Sequence, residues 1–430
     1  MKTAIVWFKT DLRLHDNETL IKAIAQSETI IPVYCFDESH YKTTDFGFKK
    51  TGSFRAPFLL ESLRDLDLNL RAIGSGLLIL KGKPEEEIPK LVQQYRATKV
   101  FAKREVSYEE KQSEALVQAA LFKVRCELET FSTSTLYHAE DLPFSIKDIP
   151  DMFTNFRKKT EKDAVIRTAF VAPTQITSPE IKPIDLPLLK DLEVLSVSMD
   201  KRSAIQFKGG ESEAIKRLNY YFFESKSISN YKETRNGLVG LDYSSKFSAW
   251  LAMGCISPRF IYQELTKYEL EFGANESTYW LVFELLWRDY FRFMMKKYKI
   301  KFFQKSGIQG KGSQINEPNK QQLQDWIDGK TGVAFVDANM IELKLTGFMS
   351  NRGRQIVASY LCNDLKLDWR LGAAYFEQQL IDYDVCSNWG NWAYLAGVGN
   401  DPRGNRHFNI EKQATDYDKK QIFRNLWLNS

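Results

Sequence analysis

Residues 346–400 begin TGFMSNRGRQIVASYL (346–361) and continue through DWRLGAAYFEQQLIDYDVCSNWGNWAYLAGVGN (368–400). Apolar residues recur there at helical spacing over 352–363, 369–379 and 388–395, so this part of the chain reads as helical. Its polar residues are unusual for helices. Arg352 and Arg354 stand beside Asn351 and Gln355, Asp382 and Asp384 flank Tyr383, and Asn388, Trp389, Asn391 and Trp392 follow closely. A solvated face does not need so many indoles and amides, and an ordinary core does not take so many charges. The mixture implies a deep polar pocket around a flat aromatic ligand.

Working outward, the helical pattern covers everything from residue 211 onward. Further helices are expected at 211–225, 247–253, 258–271, 279–299, 320–328 and 336–346. Ser257-Pro258 is a start signal, and Gly329 and Gly347 are stop signals. Eight of the nine tryptophans fall in this half. Upstream, 132–206 collects prolines at 143, 150, 173, 179, 183 and 187 and keeps no long period. It reads as a linker wrapped over the surface between two domains.

The first 131 residues alternate apolar strand runs (4–8, 29–36, 76–82, 99–103, 125–131) with amphipathic helices (17–25, 55–70, 85–95, 108–122). That alternation implies βαβ units and a parallel sheet covered on both faces. The expected fold is thus α/β plus all-α: a doubly wound, Rossmann-like domain over 1–131, a linker over 132–206 and a helical domain over 207–430. No GxGxxG follows the first strand and no GxxxxGK[ST] occurs. Even so, doubly wound domains place ligands beyond the carboxyl ends of their strands, so a second, lesser ligand is expected there.

Composition narrows the class. The chain has 430 residues, 43% hydrophobic and 27% charged, with 60 Lys+Arg against 55 Asp+Glu for a net charge of +5. A mild positive bias permits a nucleic-acid partner without demanding one. The five cysteines are odd in number and form no CxxC, and the four histidines have no ligand spacing. We expect a reducing, cytoplasmic setting with no disulfide frame and no metal. No apolar run reaches the roughly 18 residues of a membrane span, and MKTAIVWFKTDLRL is neither a signal nor a transit peptide.

Five motifs then occur in order: WFKTDLRLHDN (7–17); Tyr231 with DYSSKFS (242–248) and GCISPR (254–259); ELLWRDY (284–290); DANM (337–340) with TGFMSNRGRQ (346–355); and DWR (368–370) with DYD (382–384), SNWGNW (387–392) and GVGNDPR (397–403). Together they resemble the photolyase/cryptochrome family, and TGFMSNRGRQ, DYSSKFS and SNWGNW resemble its cryptochrome-DASH branch. The resemblance implies FAD in the helical domain. Tyr231, Ser244, Ser245, Lys246, Phe247 and Ser248 match its phosphate contacts, since small hydroxyls before a helix make an anion site. Asn351, Arg354, Asp382, Asp384 and Asn388 match positions around the flavin ring, with Glu284 and Arg288 on the same cofactor. Asn388 would face the reactive N5, where an amide can both donate and accept.

The implied activity is that of a deoxyribodipyrimidine photo-lyase: photoexcited, reduced flavin lends an electron to a pyrimidine dimer flipped out of the stack. Glu284, Trp287, Tyr394, Gln355 and Arg352 match lesion or DNA contacts. Gln355 stands where duplex-acting relatives usually carry Met, which fits single-stranded or looped DNA; RNA is a further candidate partner, and the chain is expected to be monomeric. Trp392 and Trp369 match the inner and middle members of the family's tryptophan chain, but the place of the outer member reads QINE (314–317). Glu105 matches the position that binds a methenyltetrahydrofolate antenna. Two other readings stay open: a blue-light photoreceptor that binds nucleic acid without efficient repair, and a flavin electron-transfer protein without nucleic acid.

Overall fold

The structure is a computed structural model that describes residues 2–310, 319–400 and 406–429. Five parallel strands form one sheet in the order β3-β2-β1-β4-β5: β1 (Thr3–Phe8), β2 (Thr29–Phe36), β3 (Leu78–Lys81), β4 (Lys99–Lys103) and β5 (Glu127–Phe131). The middles of the inner strands are continuously apolar because helices cover both faces. These helices are α1 (Glu18–Gln26), α2 (Arg55–Ala72), α3 (Pro84–Tyr95) and α4 (Tyr108–Lys123). Ile5, Trp7, Ile31, Val33 and Val100 pack towards α3 and α4, whose Ile88, Leu91, Val117 and Leu121 complete that layer. Val6 and Phe8 face the other way, into a core that runs without interruption into the helical half.

The connecting segment corrects one expectation. It holds an 11-residue helix, α5 (Phe153–Asp163), in which only Phe153, Phe156 and Thr160 are buried. Three inward positions among lysines give too faint a period to read in sequence. The segment is also pinned: both Asp289 oxygens accept backbone N–H groups, from Leu136 and Tyr137, each at 2.9 Å.

The helical half comprises α6 (Glu211–Asn219), α7 (Tyr231–Thr234), α8 (Ser248–Met253), α9 (Pro258–Phe272), α10 (Glu276–Tyr298), α11 (Lys320–Asp328), α12 (Ala334–Thr346), α13 (Asn351–Ser359), α14 (Trp369–Gln379), α15 (Val385–Leu395), α16 (Ile410–Tyr417) and α17 (Ile422–Leu428). The stop signals act as expected, with Gly329 and Gly347 left-handed at φ 65° and 69°. Two expected helices end earlier than their apolar period. Residues Tyr220–Glu224 and Tyr360–Asp364 instead form single π turns after α6 and α13.

The first motif proves to be a clamp between the halves. Arg13 is buried and donates to the carbonyls of His15, Asp16, Thr133 and Gly254 at 2.9–3.0 Å. Asp16 meets Arg259 at 2.7 Å, and Glu211 accepts the Leu14 and His15 amides besides the His15 ring. Gly254, left-handed at φ 69°, allows the approach: a Cβ there would lie 2.2 Å from the Thr10 carbonyl oxygen.

Candidate functional site

The helical half encloses a cavity with about 1130 Å³ of space not filled by atoms, part of it open to solvent. Three helix starts build it. Phe247, N-terminal to α8, presents the run Ser244–Ser248. Ser350 caps α13 by accepting the Gly353 amide at 3.0 Å, which sets Asn351 and Arg354 on the inner face. Asp384 caps α15 through the Ser387 amide at 2.8 Å, which sets Asn388 and Trp392 inward.

Fourteen expected site residues share this lining: Tyr231, Ser244, Ser245, Lys246, Phe247, Ser248, Glu284, Asn351, Arg354, Gln355, Asp382, Asp384, Asn388 and Trp392. Arg354 Nη2 grips both Asp382 oxygens at 3.0 and 2.8 Å while its Nε donates to the Met349 carbonyl at 2.9 Å. Asn388 Nδ2 donates to the Ala373 carbonyl at 2.9 Å, which leaves its Oδ1 as an acceptor. Burial pushes the Asp384 carboxyl up, but Arg288, Arg292 and the Ser387 amide outweigh it and hold the group below its usual range. At the rim Glu284 pairs with Arg235 at 2.7 Å and accepts Trp280 Nε1 at 3.2 Å. Burial there wins over Arg235 and Trp280, so the Glu284 carboxyl titrates above its usual value.

The lining fits a dinucleotide. Lys246 is 2% exposed, and its ammonium has no hydrogen-bond partner. A buried cation on the cavity wall lacks an anion, and the phosphates of a bound FAD would supply one. The Arg354–Asp382 pair and the Asn388 amide offer donors and acceptors to a polar ring edge.

Several expected residues lie elsewhere. Arg288 does not line the cavity; its guanidinium is spent on the carbonyls of Ser134 and of Leu251, the latter at 3.2 Å, so it reaches the site only through its charge. Arg352 also turns away, to Asn236 at 3.1 Å, Gln413 at 3.4 Å and the Tyr417 ring. Trp287 has Phe153 of α5 stacked on it at 3.7 Å, so that face is closed to a base. Tyr394 stands edge-on to Trp287 at 5.8 Å and accepts from Arg406 at 2.5 Å. Trp369 is buried behind the cavity wall, 5.8 Å from Trp389. The QINE stretch and Asp401, Pro402 and Arg403 fall outside the described residues. Sequence reasoning assigned no role to Arg235 and Ser350, which share the lining. The spacing of four from Tyr231 to Arg235 was the available signal for the first.

A second cavity opens where the halves meet, at the carboxyl ends of β1, β2 and β4. Trp7–Thr10, Tyr34, Asp37, Glu105, Arg55, Arg292 and Glu377 line it. Since β1 lies between β2 and β4, this is the topological switch point at which doubly wound sheets bind ligands. Glu105 sits there in a ring of cations: Arg292 at 3.1 Å, Lys103 at 3.4 Å and Lys9 at 3.8 Å. Burial would raise its carboxyl, but Lys103, Lys9 and Arg292 prevail and bring it to about 2. Arg292 also approaches Asp384 at 3.8 Å, so one guanidinium ties the two cavities together. Among the described residues no group of His, Cys, Asp and Glu has metal-binding geometry, and no helix is long and apolar enough to cross a membrane.

Comparison with known proteins fits this geometry. The family model for DNA photolyase matches residues 4–177, and that for the FAD binding domain of DNA photolyase matches 280–430. A cryptochrome DASH of Gloeobacter violaceus is 48% identical over 99% of this chain and 85% of its own. The chain belongs to the photolyase/cryptochrome family, in its cryptochrome-DASH branch. A cryptochrome DASH of Danio rerio is 49% identical, covering 99% of this chain and 83% of the relative. The crystal structure of a Synechocystis cryptochrome superposes with a TM-score of 0.96 at 47% identity, covering all of this chain and 89% of that one. FAD is therefore the cofactor of this cryptochrome-DASH chain.

Proposed function

We propose that the protein repairs cyclobutane pyrimidine dimers in single-stranded DNA under blue or near-ultraviolet light. The observation that carries this reading is Glu284, an acid held above its usual titration range on the rim of the flavin cavity. Bound and reduced, FAD supplies the photoexcited electron that opens the cyclobutane ring. The protein's share is to bind, orient and exclude water. Glu284 hydrogen-bonds a flipped base and steadies charge that develops there. Gln355, on the same lining, offers an amide to the flipped bases. Extruding a dimer costs less from a single strand than from a duplex, so modest contacts suffice.

The second cavity gives Glu105 a supporting role in this reading. An ionised carboxylate at the switch point suits the N–H donors of a folate pterin, which would collect light for the flavin.

Repair should fall about a hundredfold in Glu284→Gln with FAD content unchanged, because the amide keeps the size of the side chain but cannot take or give a proton. Dimer-containing oligothymidine, single-stranded and annealed, provides the substrates. Faster repair of the annealed form would contradict the strand preference. Binding of dimer DNA without turnover would favour a photoreceptor.

A further inference from the structure

We propose that Tyr383 is a redox residue, the electron donor at the end of the aromatic path from the flavin cavity, supplied through Trp389 and discharging its phenolic proton to Glu377. The inference rests on the light-driven reading above. It starts from the missing outer tryptophan, since 314–317 reads QINE.

Three indoles gather where α14 meets α15. Trp392 lines the flavin cavity and lies on Gly372 of α14, where a Cβ would stand 2.2 Å from its Cη2. Trp369 starts the same helix one turn earlier. Trp389 sits one turn before Trp392 on α15, and its ring meets Trp369 at 5.8 Å and 77°. From Trp389 the path leaves by a hydrogen bond: Nε1 donates to Tyr383 Oη at 3.2 Å. The phenol borders the second cavity together with the Glu377 side chain, and the Arg55 guanidinium lies 4.6 Å from the ring centre.

A tyrosine can give up an electron near neutral pH only if its proton leaves too, because the oxidised phenol is a very strong acid. The Glu377 carboxylate, on the same cavity wall, meets that need. Burial raises the Tyr383 phenol well above its ordinary value, so the phenol keeps its proton until it is oxidised. The competing branch lacks such a partner. Trp326 meets Trp392 at 6.2 Å but is fully enclosed, and its N–H is spent on the Val357 carbonyl at 3.1 Å, a group that cannot take a proton. Trp369 likewise donates to the Lys305 carbonyl at 3.1 Å.

Position completes the argument. Tyr383 lines both cavities, whereas Glu377 and Arg55 line the second one. The ring is thus a partition between the flavin and a solvent-accessible chamber. Trp392 gives one electron to the photoexcited oxidised isoalloxazine. The vacancy passes to Trp389 and is filled from Tyr383, whose O–H proton goes to Glu377. A soluble thiol in the second cavity then returns one hydrogen atom to the tyrosyl oxygen, Glu377 releases its proton to water, and two oxidised thiols couple to a disulfide.

The test uses FAD-loaded, oxidised full-length protein under blue light with a thiol reductant. Electron paramagnetic resonance of rapidly frozen samples should show a neutral tyrosyl radical in the wild type and none in Tyr383→Phe. Glu377→Gln should keep the tyrosine yet slow radical formation about a hundredfold. Trp389→Phe, which leaves Tyr383 in place, should suppress the signal as well. An equal tyrosyl signal in wild type and Tyr383→Phe, or a radical confined to tryptophan in the wild type, overturns the proposal alone. Failure of the wild type to reduce FAD in the light overturns the light-driven reading with it.

Discussion

Lys246→Met should weaken FAD binding by about one to two orders of magnitude, from the loss of a charge-assisted hydrogen bond contributing about 1.5–3 kcal/mol. The same substitution should raise the melting temperature of the FAD-free protein. Both signs follow from one fact: a buried ammonium without a hydrogen-bond partner. Its close neighbour is the Tyr243 ring, 3.0 Å from Nζ to the centroid. Glu342 offers charge, but burial outweighs Lys246 and Arg354 and lifts that carboxyl to about 8, so at neutral pH it is a poor counter-ion. Without FAD the cation is a net cost; with phosphate beside it, the cost becomes a gain. Burial also pulls the Lys246 ammonium well below its ordinary value. The unfolded chain then binds more protons there than the folded one, so this penalty shrinks as pH rises towards the ordinary lysine range. Thermal melts of the FAD-free protein at several pH values, with a fluorescence titration of FAD, measure both effects. Unchanged FAD affinity in Lys246→Met would remove the phosphates from this end of the cavity.

Arg354→Met should destabilise the protein by about 3 kcal/mol, the lower end of what breaking a buried ion pair costs, and yield protein that purifies largely without FAD. The Asp382 carboxylate has a side chain 2% exposed and receives two bonds from one guanidinium nitrogen. Removing that group strands a charge among Phe348, Phe376 and Leu380. Arg354→Lys should recover part of the stability, since it restores the charge but neither the two-oxygen grip nor the bond to Met349. Urea denaturation and flavin absorbance per protein measure the two quantities. Full FAD content in Arg354→Met would show that the pair is structural and does not shape the ring site.

The sequence made strands and helix ends legible because each has a local cause. Apolar runs such as TIIPVYCF leave little doubt about a buried strand, and Gly329 and Gly347 terminate helices through their own φ. The lining of the first cavity was legible for a different reason: the motifs place Asn351, Arg354, Asp384 and Asn388 at helix starts, where side-chain direction follows from the cap. What escaped depends on distant partners. Helix α5 exists because Phe153 stacks on Trp287, a contact more than a hundred residues away in sequence, and the same contact closes the face of Trp287 expected to meet a base. Arg288, one turn from Glu284, seemed to share its site, but the carbonyls of Ser134 and Leu251 draw it aside. Tyr383 stands between two aspartates in the sequence, with nothing local to mark what its ring does. Only the fold reveals that its ring separates two cavities.

The proposed light-driven repair of pyrimidine dimers has a direct measurement. FAD-loaded protein is reduced chemically, mixed with single-stranded oligothymidine carrying cyclobutane dimers, and irradiated in the near ultraviolet while absorbance at the thymine band is followed. Absorbance should recover over many turnovers per protein, in the light and not in the dark. Dimers that stay intact in the light, with FAD bound and reduced, would contradict it.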